Sequence, residues 1–392
     1  MYDISKLDPT VQRELRYCGI LNLINSGCGG VSPRTGKQFV VWDAESNTSD
    51  HGQGTETSVH WTSPYCKVIK SSINGSLTLG YTTTYEGVTY TPEQFIEKQG
   101  VKVITRSIGG PATEGDCPES VYWNKIRDRY KVVIFNSFGN KGSLGPEAAF
   151  PAKTAWYISA CGLNDNGVPV RKTYSSIGIE NDFINFTGNL EGTSFSSPWT
   201  AGEAVDLICK YDDDMTHEEV GQFFIWICKD VVRNSTTMDG NGLPMFTNLP
   251  NCKYISFTVG DNKYNDDGQI KYMDTVPANV NGTVFIPLRF AVEALGGTVS
   301  WNEDTDTATI IDDNDTITTA DDVTIKLTLG SKTALVEDED ADTIFDPVPL
   351  LQAPYRDANG RTMVPIRFLS ENFGCEVAWI QKWQKVMILK RG

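Results

Sequence analysis

The chain has 392 residues, 40% of them hydrophobic and 21% charged, so it is too long for one ordinary core and too apolar for disorder. Two domains of a folded, soluble protein are expected. The net charge of −16 argues against nucleic acid or an anionic membrane as a partner, and no apolar run approaches the roughly 18 residues of a membrane span.

The first residues carry neither the basic cluster nor the apolar core of a secretory signal, so a cytoplasmic or virion-associated protein is expected. Nine scattered cysteines form no Cys-x-x-Cys pair. They read as free, mostly buried thiols rather than a disulfide framework or zinc site, and no metal or cofactor is expected. Residues 1–252 alternate β-rich and helical runs. Strands are predicted over 38–42, 101–105, 131–136 and 155–160, and helices over 91–99, 194–211 and 217–231, the last opened by a Thr216–Glu219 capping box. Such alternation predicts an α/β domain built on a mainly parallel sheet with helices on both faces.

Residues 253–392 predict a second, α+β domain with an internal two-fold repeat. Pro287, Arg289, Phe290, Glu293, Val299 and Trp301 each return 78 residues later, as Pro365, Arg367, Phe368, Glu371, Val377 and Trp379. Each copy reads as a strand, a Pro-started helix, a glycine C-cap and a strand carrying Trp. Between 303 and 346, fourteen Asp or Glu face two Lys, which reads as a solvated acidic face since no EF-hand pattern is present.

The richest stretch is Gly192-Thr193-Ser194-Phe195-Ser196-Ser197-Pro198. Glycine permits a sharp turn and close approach to a substrate. A serine just behind it opens a helix, where free N–H groups and the helix dipole favour developing negative charge. Small residues follow for close packing, and Pro198 is expected in the first turn, where no N–H bond is lost. The pattern resembles the nucleophile signature of subtilisin-like serine peptidases, the subtilases, over about residues 36–210.

That resemblance implies further roles. Ser194 is the nucleophile, and Asp43, ending a predicted strand, is the triad acid, although Ala44-Glu45 stands where the family has Thr-Gly. Ser107-Ile108-Gly109-Gly110 resembles the segment on which an extended substrate pairs. Asn140, within Gly139-Asn140-Lys141-Gly142, resembles the oxyanion donor.

The general base is the exception. The family's Gly-His-Gly-Thr-His finds its best match in Gly52-Gln53-Gly54-Thr55-Glu56, which puts glutamine at the histidine position. An amide cannot take a proton near neutral pH. Of the three histidines, His60 is seven residues further on, His217 reads as a solvated first-turn residue, and His51 lies in a loop that would have to fold back. The expectation is therefore a pseudoprotease, with Gln53 hydrogen-bonding Ser194 and Asp43. Its role would be structural or protein-binding, in a phage particle or a clostridial assembly. The alternative is an active serine endopeptidase using Ser194, Asp43 and His51 on a polypeptide substrate.

The C-terminal region resembles the copper amine oxidase N-terminal-like (stalk) domain. Residues 253–392 contain no histidine, so no copper site is expected. Arg289 and Arg367 are expected to pair with the Glu four residues on. Trp379 and Trp383 raise polysaccharide binding as a further reading.

Overall fold

Short runs of β-branched and aromatic residues, each closed by a turn or a capped helix, build the centre of the larger unit. The computed structural model describes residues 2–44, 50–107, 117–142, 154–176, 178, 180–229, 232, 240–247, 249–312, 323–338 and 345–391. It divides into two units, Met1–Pro250 and Asn251–Gly392.

In the first unit α1 (Pro9–Cys18) precedes β1 (Val40–Asp43), α2 (Asp50–Thr62) and β2 (Lys67–Lys70). Then come α3 (Pro92–Gln99), β3 (Val101–Arg106), α4 (Pro118–Tyr130), β4 (Val133–Ser137) and β5 (Trp156–Leu163). The chain continues through β6 (Pro169–Arg171), β7 (Phe183–Phe186), α5 (Thr193–Tyr211) and α6 (His217–Ile227). The sheet order is β7-β5-β4-β3-β1-β2, all pairs parallel, with β6 antiparallel on β5.

Side-chain alternation divides the two faces. Trp42, Ile104 and Ile134 pack with Phe95 and Ile96 of α3 and Trp123 and Ile126 of α4. Their neighbours point the other way. The Thr105 hydroxyl is 2.9 Å from that of Ser197 on α5, and the Phe135 ring is 6.0 Å from Phe224 on α6. Helices therefore cover both faces, as expected.

The differences from expectation lie at element ends. Lys131 is the left-handed C-cap of α4 (φ 49°), so β4 starts two residues later than predicted. α6 stops at Ile227, and Cys228–Lys229 pairs with Leu243–Pro244 instead of extending the helix. Pro198 lies in the second turn of α5, because the helix begins at Thr193.

The second unit is built of antiparallel sheets. Its strands are β8 (Lys253–Thr258), β9 (Lys263–Asp266), β10 (Gln269–Tyr272), β11 (Ala278–Val280) and β12 (Thr283–Pro287). α7 (Leu288–Leu295) leads to β13 (Thr298–Asn302), β14 (Thr307–Asp312), β15 (Val323–Thr328), β16 (Thr333–Asp338) and β17 (Asp346–Pro349). β18 (Tyr355–Arg356), β19 (Thr362–Pro365), α8 (Ile366–Asn372), β20 (Glu376–Ile380) and β21 (Lys385–Lys390) complete it. The sheets run β10-β9-β8-β21-β20, β11-β12-β19-β18 and β13-β14-β15-β16-β17. One core joins them, with Ile286, Val292, Ile310, Val364, Leu369 and Ile388 each nearly inaccessible.

Candidate active site

The ends of β1, β3 and β4 meet the N-terminus of α5, the crevice beyond the carboxyl ends of parallel strands where α/β sheets bind ligands. Asp43 closes β1, Ser107 follows β3, Asn140 follows β4, and Ser194 is the second residue of α5. The structure brings these four together. Ile108, Gly109 and Gly110 lie outside the described residues.

Ser194 is 6% exposed, and its Oγ donates to the Ser107 carbonyl at 3.1 Å. The contact is reciprocal, because Ser107 Oγ donates to the Ser194 carbonyl at 2.7 Å. Helix geometry explains the second bond. Pro198 has no N–H to give the carbonyl four residues back, and that carbonyl belongs to Ser194. The hydroxyl of Ser107 supplies the missing donor and ties the end of β3 to the start of α5. The spacing of Pro198 from Ser194 was the sequence signal for this role of Ser107.

Asn140 is oriented by its oxygen. Its Oδ1 accepts from the Thr193 N–H at 2.8 Å and from Thr193 Oγ1 at 3.0 Å, while Thr193 Oγ1 accepts from the Gly139 N–H at 3.1 Å. The amide nitrogen of the same side chain lies beside Gly192. A Cβ at Gly192, whose φ is 130°, would lie 3.6 Å from that nitrogen. Glycine at 192 therefore keeps open the space where an oxyanion would sit.

Asp43 is wholly buried, and its Oδ2 accepts from Thr55 Oγ1 at 2.6 Å. Thr55 was not among the residues singled out from sequence. It lies on α2, which begins at Asp50, so His51 is in the first turn of a helix rather than in a loop. At about 100° per residue, His51 and Thr55 lie roughly 40° apart on one face, while Gln53 is about 200° round from His51. The His51 ring, exposed to solvent, lies 5.4 Å, centroid to centroid, from the ring of Phe195, the residue after Ser194.

Gln53 is exposed, and its side chain makes no hydrogen bond among the described residues. The expected bridge from Gln53 to Ser194 and Asp43 is not formed, because the helix turns position 53 to solvent. The other two histidines are elsewhere. His60 is 4.0 Å from Glu56 on the same helix. His217 corrects the expectation of a solvated residue: it is 5% exposed, stacks on Trp156 at 4.8 Å, and its Nδ1 accepts from the Ile134 N–H at 3.3 Å.

Close packing of α2 on α5 holds this arrangement. A Cβ at Gly54 would sit 2.7 Å from Phe195 Cε1, and one at Gly202 would sit 2.1 Å from Thr62 Oγ1. Thr62 Oγ1 donates to the Trp199 carbonyl at 2.9 Å, and Ser63 Oγ to Asp206 Oδ1 at 2.9 Å. Further along α5, Glu203 accepts from Asn185 Nδ2 at 2.5 Å and Trp199 Nε1 at 2.8 Å. Burial pushes Glu203 up to about 8 despite those donors, and raises Asp206 well above the usual carboxylate range.

Among the described residues no group of three His, Cys, Asp or Glu is placed to hold a metal ion. Residues 253–392 contain no histidine.

Two family models match the chain. The model of the subtilase family matches residues 44–248, and that of the copper amine oxidase N-terminal domain matches 249–311 and 267–388. Subtilisin DY of Bacillus licheniformis is 27% identical over 159 residues, which are 37% of this chain and 53% of that relative. The chain thus spans about half the length of the curated relative it matches. Among solved structures, the prenylagaramide maturation protease PagA is 14% identical, with a TM-score of 0.43 over 58% of this chain and 95% of that one. A protease of Pseudoalteromonas arctica is 15% identical, with a TM-score of 0.45 over 61% and 97%.

Proposed function

Because the chain belongs to the subtilase family, we propose that its first unit is a serine endopeptidase acting on polypeptides, with Ser194 as nucleophile and His51 as general base. The observation that carries this reading is the shared face of α2. Thr55 on that face holds the Asp43 carboxylate, and His51, one turn earlier, lies against Phe195. On this reading the imidazole, exposed at the start of α2, takes the Ser194 proton, and the buried Asp43 carboxylate orients the ring and stabilises the imidazolium.

In the resting enzyme the Ser194 hydroxyl is held by the Ser107 carbonyl. An extended peptide pairing along 107–110 presents main-chain N–H groups to that carbonyl and displaces the hydroxyl. Freed, the hydroxyl turns toward His51, gives up its proton, and Oγ attacks the scissile carbonyl. The new oxyanion meets the Asn140 amide and the positive end of α5. His51 then returns the proton to the leaving amine.

A second reading, the pseudoprotease, is favoured by one observation: the hydrogen bond of Ser194 Oγ goes to a backbone carbonyl rather than to an imidazole. In that case the cleft and the second unit serve to bind or assemble proteins. A fluorophosphonate probe separates the two. The expected result is labelling at Ser194 that disappears in His51→Ala and persists in Gln53→Ala. Failure of the unaltered chain to label, or labelling that survives His51→Ala, overturns the enzymatic reading.

A further inference from the structure

The second unit carries two grooves lined by residues that stand 78 positions apart. The narrower has a volume of about 170 Å³ and is bounded by Thr283, Val284, Arg367, Val377 and Trp379. The wider, of about 610 Å³, is bounded by Arg361, Thr362, Arg289, Val299 and Trp301. The hairpins beside them share a register, Trp301 opposite Ala308 and Trp379 opposite Val386. Asp306 and Gln384, at the two hairpin turns, share a φ of 47°. The two hairpins thus share a local frame, while the side chains around the grooves differ.

That difference is one of charge. Around the wide groove stand Asp274, Glu303, Asp306, Arg356 and Arg361. At 78 positions' distance the chain has Gln352, Gln381, Gln384, Ala278 and Thr283. The two shared arginines also differ. Arg367 is bound to Glu371 at 3.1 Å, as the sequence led one to expect. Arg289 forms no ion pair or hydrogen bond among the described residues, and neither does Glu303. Arg356, by contrast, is fixed: its guanidinium lies 5.1 Å over the Trp301 ring and 3.3 Å from Asp306. Arg361 is held by Asp274 at 2.6 Å.

The wide groove therefore offers a donor-only cation and an acceptor-only anion, both unengaged, on a wall stiffened by Trp301 and two ion pairs. Its volume is within the range of ligand sites, roughly 300–1,000 Å³. A ligand satisfying both groups carries an acceptor anion and several hydroxyl donors close together. With a chain charge of −16, a dense polyanion is repelled while an isolated carboxylate is not. We propose that the groove beside Trp301 binds an oligosaccharide bearing isolated carboxylates. Arg289 takes the carboxylate as a bidentate partner, and Glu303 and Asp306 accept from sugar hydroxyls.

Calorimetric titration of the full chain with a hyaluronan tetrasaccharide, which alternates acidic and neutral rings, tests this. Binding is expected, with neutral chitotetraose at least about tenfold weaker. Arg289→Ala and Glu303→Gln, both at exposed positions, should each weaken binding about tenfold, while Arg367→Ala leaves it unchanged. Absence of binding by the hyaluronan tetrasaccharide at millimolar concentration overturns the proposal. So does equal loss in Arg367→Ala, or a glutamate-containing tetrapeptide binding as tightly, which would make the groove a peptide site.

Discussion

The two units handle buried acid differently. In the first, Glu14, Asp182, Glu203 and Asp206 take hydrogen bonds from neutral donors: backbone N–H groups for Glu14 and Asp182, and Asn185, Trp199 and Ser63 for the acids of α5, with Lys172 and Arg13 near enough to Glu14 to offset only part of its burial. Burial raises all four, Glu14 and Glu203 to about 8 and Asp182 to about 7. In the second unit the buried acids meet cations. Asp266 lies 2.7 Å from Lys253 and 2.5 Å from Lys271, and Asp312 lies 3.0 Å from Lys390. Neutral donors orient a carboxylate without cancelling the cost of desolvating its charge, whereas a cation cancels much of it. The raised acids of the first unit thus hold their protons to higher pH than a free carboxyl does.

The sharpest break between the units is chemical. Ser194→Ala should abolish hydrolysis, a loss on the order of 10⁶ in kcat, while both thermal transitions persist in calorimetry. His51→Ala should cost at least about 10²–10⁴. Gln53→His, facing solvent, should leave the rate within a factor of about two; if it instead creates activity in an inert parent, position 53 is the base after all. Asn140→Ala should lower kcat about 10²–10³ with little change in KM, read from steady-state kinetics on a peptide substrate.

Stability effects are smaller. Gly202→Ala forces a methyl against Thr62 and the Val59 carbonyl, and should destabilise the first unit by about 1–3 kcal/mol without moving the transition of the second. The pH dependence follows from the raised acids. A carboxyl with a folded pKa above its unfolded value contributes stability that is complete below the unfolded pKa and is lost as pH rises through the folded one. For Glu203 that window runs from the ordinary glutamate value of 4.5 to about 8. The first unit's melting temperature should therefore fall across it, and Glu203→Gln should flatten the decline. A first unit whose stability rises over the same range would erase the contrast between the units.

Much of this protein was legible from the chain alone. The Gly-Thr-Ser stretch, the Asn140 loop, Asp43 and the strand–helix alternation all depend on local backbone demands: a positive φ, a capped helix, a β-run ending in an acid. The α+β character of the second unit was legible for the same reason, from its strand and helix signals, whereas the antiparallel order of its sheets came from the structure. What tertiary structure alone decided was direction. Where α2 begins sets the phase of every residue after it, and a shift of two positions turns a side chain more than half-way round the axis. Motif spacing put Gln53 in the site. The start at Asp50, with Gly54 and Gly202 pressed between α2 and α5, left Gln53 exposed and turned Thr55 in onto Asp43, with the exposed His51 one turn earlier beside Phe195. The tie between Ser107 and Ser194 was likewise decided in three dimensions, since the carbonyl that Pro198 leaves without a partner could be satisfied only by a group 87 residues away in sequence.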